Sequence, residues 1–217
     1  MATLPLFPLG TALMPGSLLP LQVFEERYFD LFHELIEWQG ERDPVFGVVA
    51  IKEGYEVGSE GARALHSVGC VARLQRVAVL PGDRLLTVSE GTSRFMLNGL
   101  DEAAGTPYLT GTVTHLGEPE GDPGQVGRLA DLLRSAVATY AATVGGEDPE
   151  VPDDDRQLAY WLPQAVTLDL HDRQSLLASP DTEARLRLGL GLLRRELTLA
   201  SSFNVVGYEA DKPMWLN

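Results

Sequence analysis

The stretch VGCVARLQRVAVLPGDRLLTVSE, residues 68–90, decides how this chain folds. Val68, Cys70, Ala72 and Leu74 fall on one side of an extended chain, and Val71, Arg73, Gln75 and Val77 on the other. Arginines occur on both sides, at Arg73 and Arg76, which predicts a bulge near the middle. Pro81-Gly82-Asp83 is a turn sequence in which glycine admits positive φ, so residues 84–90 return antiparallel. A long hairpin therefore sets the frame.

Working outward, residues 93–100 and 108–115 add two strands, and residues 45–52 (VFGVVAIK), β-branched and bounded by Pro44 and Gly54, form a buried one. The proline-rich opening, residues 4–24, reads as short extended strands joined by turns. Between them Phe24, Tyr28, Leu31, Leu35 and Trp38 recur at three and four residues, the stripe of one amphipathic helix ending near Gly40.

Residues 117–124 (GEPEGDPG) have the composition of a linker, and beyond them the hydrophobic period stays helical. Val126, Leu129, Leu133 and Val137 share one helix face closed by Gly145, residues 155–167 make a helix bent at Pro163, and Asp169 opens a short third. Ser179 as cap and Pro180 at the first helical position open the last, whose stripe is Leu186, Leu190, Leu193 and Leu197. The fold class expected is α+β: residues 1–116 a mostly antiparallel β domain with one inserted helix, residues 125–202 a C-terminal helical bundle. Residues 203–217 keep Phe203, Tyr208 and Trp215 and are expected to dock on the body.

Composition narrows function. With 217 residues, 44% of them hydrophobic, the chain has material for a core. A formal charge of −14 disfavours nucleic acid and anionic membranes, whose binders rely on Lys and Arg. No apolar run approaches a membrane span and the start has no basic n-region, so a cytoplasmic location is expected. The single cysteine, Cys70, reads as a buried thiol.

Motifs for chemistry are sparse. There is no G-x-x-x-x-G-K-[ST] loop to cradle phosphate and no G-x-S-x-G elbow, and Lys52 and Lys212 are the only lysines a Ser-Lys dyad could use. His33, His66, His115 and His171 stand apart from any nucleophile motif. His33-Glu34 begins H-E-L-I-E, but Glu37 occupies the place of the second zinc-ligating histidine. The run Glu147, Asp148, Glu150, Asp153, Asp154 and Asp155 lacks the ligand order of a calcium loop and reads as carboxylates favouring the start of a helix. No catalytic residue, metal or cofactor is expected.

Three blocks together carry a resemblance. The first is LPLFPLG at 4–10 with MPGSLLPLQVFEERY at 14–28; the second is Gly47, VGCVARLQ at 68–75 and GTSRFML at 91–97; the third is DRQSLLASPDTEARLRLGLGLLRREL at 172–197. In this order they resemble the Lon N-terminal (La) domain family. The resemblance implies a β domain of PUA-like topology followed by a helical bundle, in a free-standing relative of the substrate-recognising domain of Lon proteases. It implies a non-catalytic protein-binding module, adaptor or chaperone-like, whose partners are unfolded or specific polypeptide clients and a separate protease.

Phe24, Glu25, Arg27 and Tyr28 occupy the family's F-E-x-R-Y positions, and Gly91, Arg94 and Phe95 its G-x-x-R-F positions. Their expected role is architectural, with Phe24, Tyr28 and Phe95 in the core and Arg27 or Arg94 paired with Glu25 or Glu26. Client contact is expected instead from exposed apolar residues, Met14, Leu18, Leu19 and Trp215. Two other readings are a small hydrolase with a site between the two domains and an RNA-binding PUA-like protein, the second opposed by the charge.

Overall fold

The computed structural model describes residues 2–38, 40, 42–55, 62–82, 84–145 and 149–202. Its β-rich unit holds β1 (Ala2–Leu9), β2 (Leu18–Val23), α1 (Glu26–Glu37), β3 (Val45–Gly54), β4 (Ala62–Leu65), β5 (Val68–Leu80), β6 (Arg84–Leu100) and β7 (Thr110–His115). α2 (Pro123–Val144), α3 (Asp155–Ala165), α4 (Leu170–Ala178) and α5 (Thr182–Ser202) follow.

The hairpin of residues 68–90 forms as expected, with Leu80 opposite Arg84 and register shifts at Val71/Ala72 and Leu74/Arg76. β6 then continues without a break through residues 93–100, so two expected strands are one. Its second half pairs with β7, Leu97 opposite Val113, while β5 pairs with β3, Val48 opposite Cys70. The sheet closes because β1 bonds to β7 on one side and runs parallel to β3 on the other, Leu6 opposite Gly47. This one parallel pairing requires a long crossover, and α1 lies within it. Five strands thus form a barrel; β2 extends it on β6 and β4 on β3.

Strand alternation explains why β1 is apolar at nearly every position. Leu4 and Leu6 point into the barrel with Val49, Val71, Phe95 and Val113. Phe7 points outward, its ring 4.2 Å from that of Tyr28 on α1. Phe32 meets Phe46 edge-on at 5.4 Å, seating the helix on β3. Inside, glycine makes room: a Cβ on Gly47 would lie 2.8 Å from Leu6 and 2.9 Å from the Phe95 ring, and one on Gly69 would run into the same ring.

The chain does not divide at a single linker. The β-rich unit takes residues up to Pro119 and then Leu168–Pro180, so α4 belongs with the barrel and not with the helices on either side. Gln174 donates to the carbonyl of Val68 at 2.9 Å, and Arg94, 2% exposed, reaches the C-terminal end of α4. Ser179 caps that end in an extended conformation (ψ 137°), as a residue before proline must, so it does not open α5. Asp181 does, accepting from the Ala184 amide at 2.7 Å.

The second unit contains α2, α3 and α5. Val126, Leu129, Leu133 and Val137 of α2 are buried with Leu158 and Leu162 of α3 and Leu186, Leu190 and Leu193 of α5. Gly145 ends α2 in the left-handed region (φ 72°), satisfying an orphan carbonyl through its amide to Ala141. Pro163 sits inside α3 and is buried. No described helix is long and apolar enough to cross a membrane. The tail, with Trp215, lies outside the described residues.

Candidate functional site

Beyond the barrel the first half of β6 lies between β2 and the end of β5, making a three-stranded ribbon. Directly opposed residues share a face. Leu18, Pro20 and Gln22 oppose Glu90, Val88 and Leu86, and these oppose, in part, Arg76 and Ala78. Leu18 is 67% exposed, Leu86 41%, and Pro20 and Ala78 are also exposed, with Val88 and Leu80 half-buried. The result is an apolar strip on one open face, bordered by Arg76, Arg84 and Glu90. The reverse face carries Val23, Leu85, Thr87, Ser89 and Leu74, all buried, and, towards the hairpin turn, Val79, which is 81% exposed.

The outer edge of β2 is open, since among the described residues it pairs with β6 alone. The Gly91 amide donates to Ser17 at 2.9 Å. Alternation from that bond turns the backbone of Leu19, Leu21 and Val23 toward β6 and that of Leu18, Pro20 and Gln22 outward. Pro20, which has no N–H to offer, thus stands where its missing donor faces solvent. At the end of β2 a cavity of about 110 Å³ is lined by Phe7, Leu9, Leu21, Val23, Phe24 and Tyr28.

The expected contact residues part company here. Leu18 lies on the open strip. Leu19, half-buried, points to the reverse face because neighbours in a strand point oppositely. Met14 is not exposed as expected: it is 2% accessible, in a turn where Ser17 donates to its carbonyl at 3.1 Å and Gly91 packs against that same oxygen. Pro20, Ala78, Leu86 and Val88 complete the strip and were missed; reading the hairpin's second face at a spacing of two exposes three of them.

The family-motif residues divide too. Tyr28 and Phe95 are buried as expected. Phe24 is 54% exposed, because Glu25 caps α1 in an extended conformation (φ −88°, ψ 134°) and the helical repeat begins only after it. Arg27 pairs with Glu25 at 2.8 Å and lies 4.6 Å over the Tyr28 ring. Arg94 does not pair with Glu25 or Glu26; Glu118 accepts from it at 2.8 Å.

Titratable groups nearby serve the fold. Burial pushes the Cys70 thiol well above its usual range, which keeps it protonated and inert. Burial, and then the hydrogen bond that Tyr108 donates to the Glu34 carboxylate, raise the tyrosine hydroxyl likewise and tie β7's approach to α1. Burial, with Lys52 and His171 nearby, lowers His66. Among the described residues no histidine is hydrogen-bonded to a serine, threonine or cysteine, and no His, Cys, Asp or Glu cluster has the geometry of a metal site.

The architecture is that of an α+β protein whose barrel carries one inserted helix and an open apolar ribbon, followed by helices. It is similar to the crystal structure of a Lon N-terminal domain protein from Xanthomonas campestris, with TM-score 0.64, 25% identity, and 88% of this chain and 98% of that one covered. The N-terminal domain of the Mycobacterium avium complex Lon protease shares the fold at TM-score 0.64 and 16% identity, covering 89% of this chain and 98% of that one. In sequence, the Lon protease of Cytophaga hutchinsonii is 24% identical over 91% of this chain, and that of Koribacter versatilis 27% over 85%. The chain spans 25% and 23% of those two proteins, so it matches the N-terminal domain of Lon and not the whole protease. Residues 3–195 match the model of the ATP-dependent protease La (LON) substrate-binding domain, and the chain belongs to that family.

Proposed function

We propose that this protein is a non-catalytic, cytoplasmic binder of polypeptides, an adaptor or chaperone-like module that holds unfolded or specific clients, in some cases for a separate protease. The observation that carries the reading is the ribbon: an apolar strip through Leu18, Pro20, Leu86 and Val88 beside a strand edge that is unpaired among the described residues. An extended client satisfies its backbone on the edge at Leu18 and Gln22 and buries alternate apolar side chains along the strip. A branched apolar side chain at the end of the segment fits the cavity between Phe24 and Tyr28. Membership of the Lon substrate-binding family supports the same reading.

A photo-cross-linking amino acid at Leu18 tests it, with a chemically unfolded, reduced polypeptide as probe and its native form as control. Adducts with the unfolded form alone are expected, and Leu86→Asp, an exposed change, should suppress them. Equal labelling of both forms, or none above the level given by a probe at exposed Glu102, would sink the reading.

A further inference from the structure

Past Leu74, β5 has a neighbour on one side only. Its pairing with β3 ends at Arg73, and the last backbone bond on that side runs from the Leu74 amide to Pro44 at 2.9 Å. Alternation carried across the ribbon from β2 turns the backbone of Arg84, Leu86 and Val88 toward β5, so Leu80, Ala78 and Arg76, opposite them, turn toward β6. Val77 and Val79 then present their N–H and C=O groups outward, and among the described residues neither makes a backbone bond there. Unlike the edge of β2, this one has no proline at its outward positions, and no lysine guards it. Its side chains are apolar on both faces, Val77 and the exposed Val79 on one, Ala78 and Leu80 on the other. Such an edge is a template for a further strand.

Charge says what that strand carries. β5 contains no carboxylate, and Arg76 and Arg84, both exposed, share the face of Ala78 and Leu80. Arg73 is answered by Asp43 at 3.0 Å, whereas among the described residues neither Arg76 nor Arg84 meets a carboxylate, Arg84 bonding only to the Pro81 carbonyl at 3.2 Å. A second copy pairing antiparallel about Ala78 would match Val77 with Val79, but it would set Arg76 opposite the copy's Leu80, beside the copy's Arg84, with no anion between them. Two guanidiniums in a chain of charge −14 are too few for a phosphate backbone. We propose that the free edge of β5 pairs with an extended segment of another polypeptide in which apolar and acidic residues alternate. Its apolar residues lie opposite Val77 and Val79, and its carboxylates opposite Ala78 and Leu80, beside Arg76 and across Leu80 from Arg84. This edge is on the far margin of the ribbon from β2 and does not rest on client binding there.

The test uses the full chain, labelled with nitrogen-15, and short fluorescent peptides that alternate Val with Glu, with Gln or with Lys. Anisotropy should rank Glu above Gln above Lys, the Glu peptide binding about fivefold tighter than the Gln peptide through two exposed ion pairs. Saturable amide shifts should fall on Val77 and Val79. Arg76→Gln combined with Arg84→Gln should bring the Glu and Gln peptides level, since both side chains are exposed and the change leaves the backbone edge in place. Val79→Pro, at a position whose N–H faces solvent, should remove binding of the Glu peptide, with a thermal melt to show that the variant folds. Equal binding of the Glu and Gln peptides, shifts confined to Leu18 and Gln22, or a dimer of the protein alone that Val79→Pro dissociates, which would give the edge to a second copy, overturns the proposal.

Discussion

The guanidinium of Arg94 on β6 donates to the carbonyl of Leu177 at 2.9 Å, joining the barrel to the end of a helix that lies 83 positions later. The same side chain reaches Ser179 at 2.6 Å, Gly117 at 3.1 Å and Glu118 at 2.8 Å. Planar Arg, with five donors in a fixed fork, serves four acceptors at once, and lysine cannot. Arg94→Met should cost about 3–5 kcal/mol by removing the buried guanidinium that Glu118 and three carbonyls share, and Arg94→Lys should recover only part. Urea unfolding measures the loss, and hydrogen exchange should place it first in α4.

Gly91 and Gly99 stand on the same strand and should respond oppositely to alanine. A Cβ on Gly91 would collide with the backbone carbonyl of Met14 and press on the Cys70 sulfur at 3.2 Å, whereas one on Gly99 meets nothing within 4 Å. Gly91→Ala should destabilise by about 1–3 kcal/mol, and Gly99→Ala should be neutral or stabilise by up to about 1 kcal/mol. Thermal melts of the two variants decide the matter.

Much of this was legible beforehand. The 68–90 hairpin, a bulge in its first strand, the amphipathic helix from Tyr28 to Leu35 and the helical second half all follow from local periodicity, though the strand has two register shifts where one was expected. What periodicity does not carry is pairing at a distance. Nothing local to residues 168–180 says that α4 belongs to the barrel, because the bonds that place it run to Arg94 and Val68. The exposure of the candidate contact residues was legible only in part, for a different reason. Leu18 and Leu19 look alike in composition, but strand alternation sends them to opposite faces, and a turn folds Met14 inward beneath Gly91.

Thr87 and Ser89 are fully buried on the reverse face of the ribbon, and among the described residues neither hydroxyl has a partner. Replacing an unsatisfied buried hydroxyl by an apolar group of the same shape removes a desolvation penalty. Thr87→Val should therefore raise stability by about 1 kcal/mol, seen as a higher urea midpoint with an unchanged slope. A fall in the midpoint would show that the hydroxyl has a partner in solution.

Tyr108 gives the protein an alkaline limit. Its folded hydroxyl ionises above the usual phenol range, through burial and then the bond to Glu34. A raised folded value means that the native state holds its proton more tightly. The contribution is complete below about pH 10, the unfolded value, and is lost as pH rises toward the folded one. Unfolding midpoints should fall more steeply between about pH 10 and 11 for the native sequence than for Tyr108→Phe, and the two should run parallel near neutrality.

The return of residues 168–180 to the barrel also orders events during synthesis. When His115 leaves the ribosome every barrel strand exists, yet Arg94 has no helix end to bond until Ser179 follows, more than 60 residues later. Through that interval Arg94 has Gly117 and Glu118 but waits for the carbonyls of Leu177 and Ser179, and α2 and α3 are made first. A nascent chain halted anywhere before Pro180 thus lacks the groups that complete its earlier half, which makes the barrel a structure finished late although it is translated early.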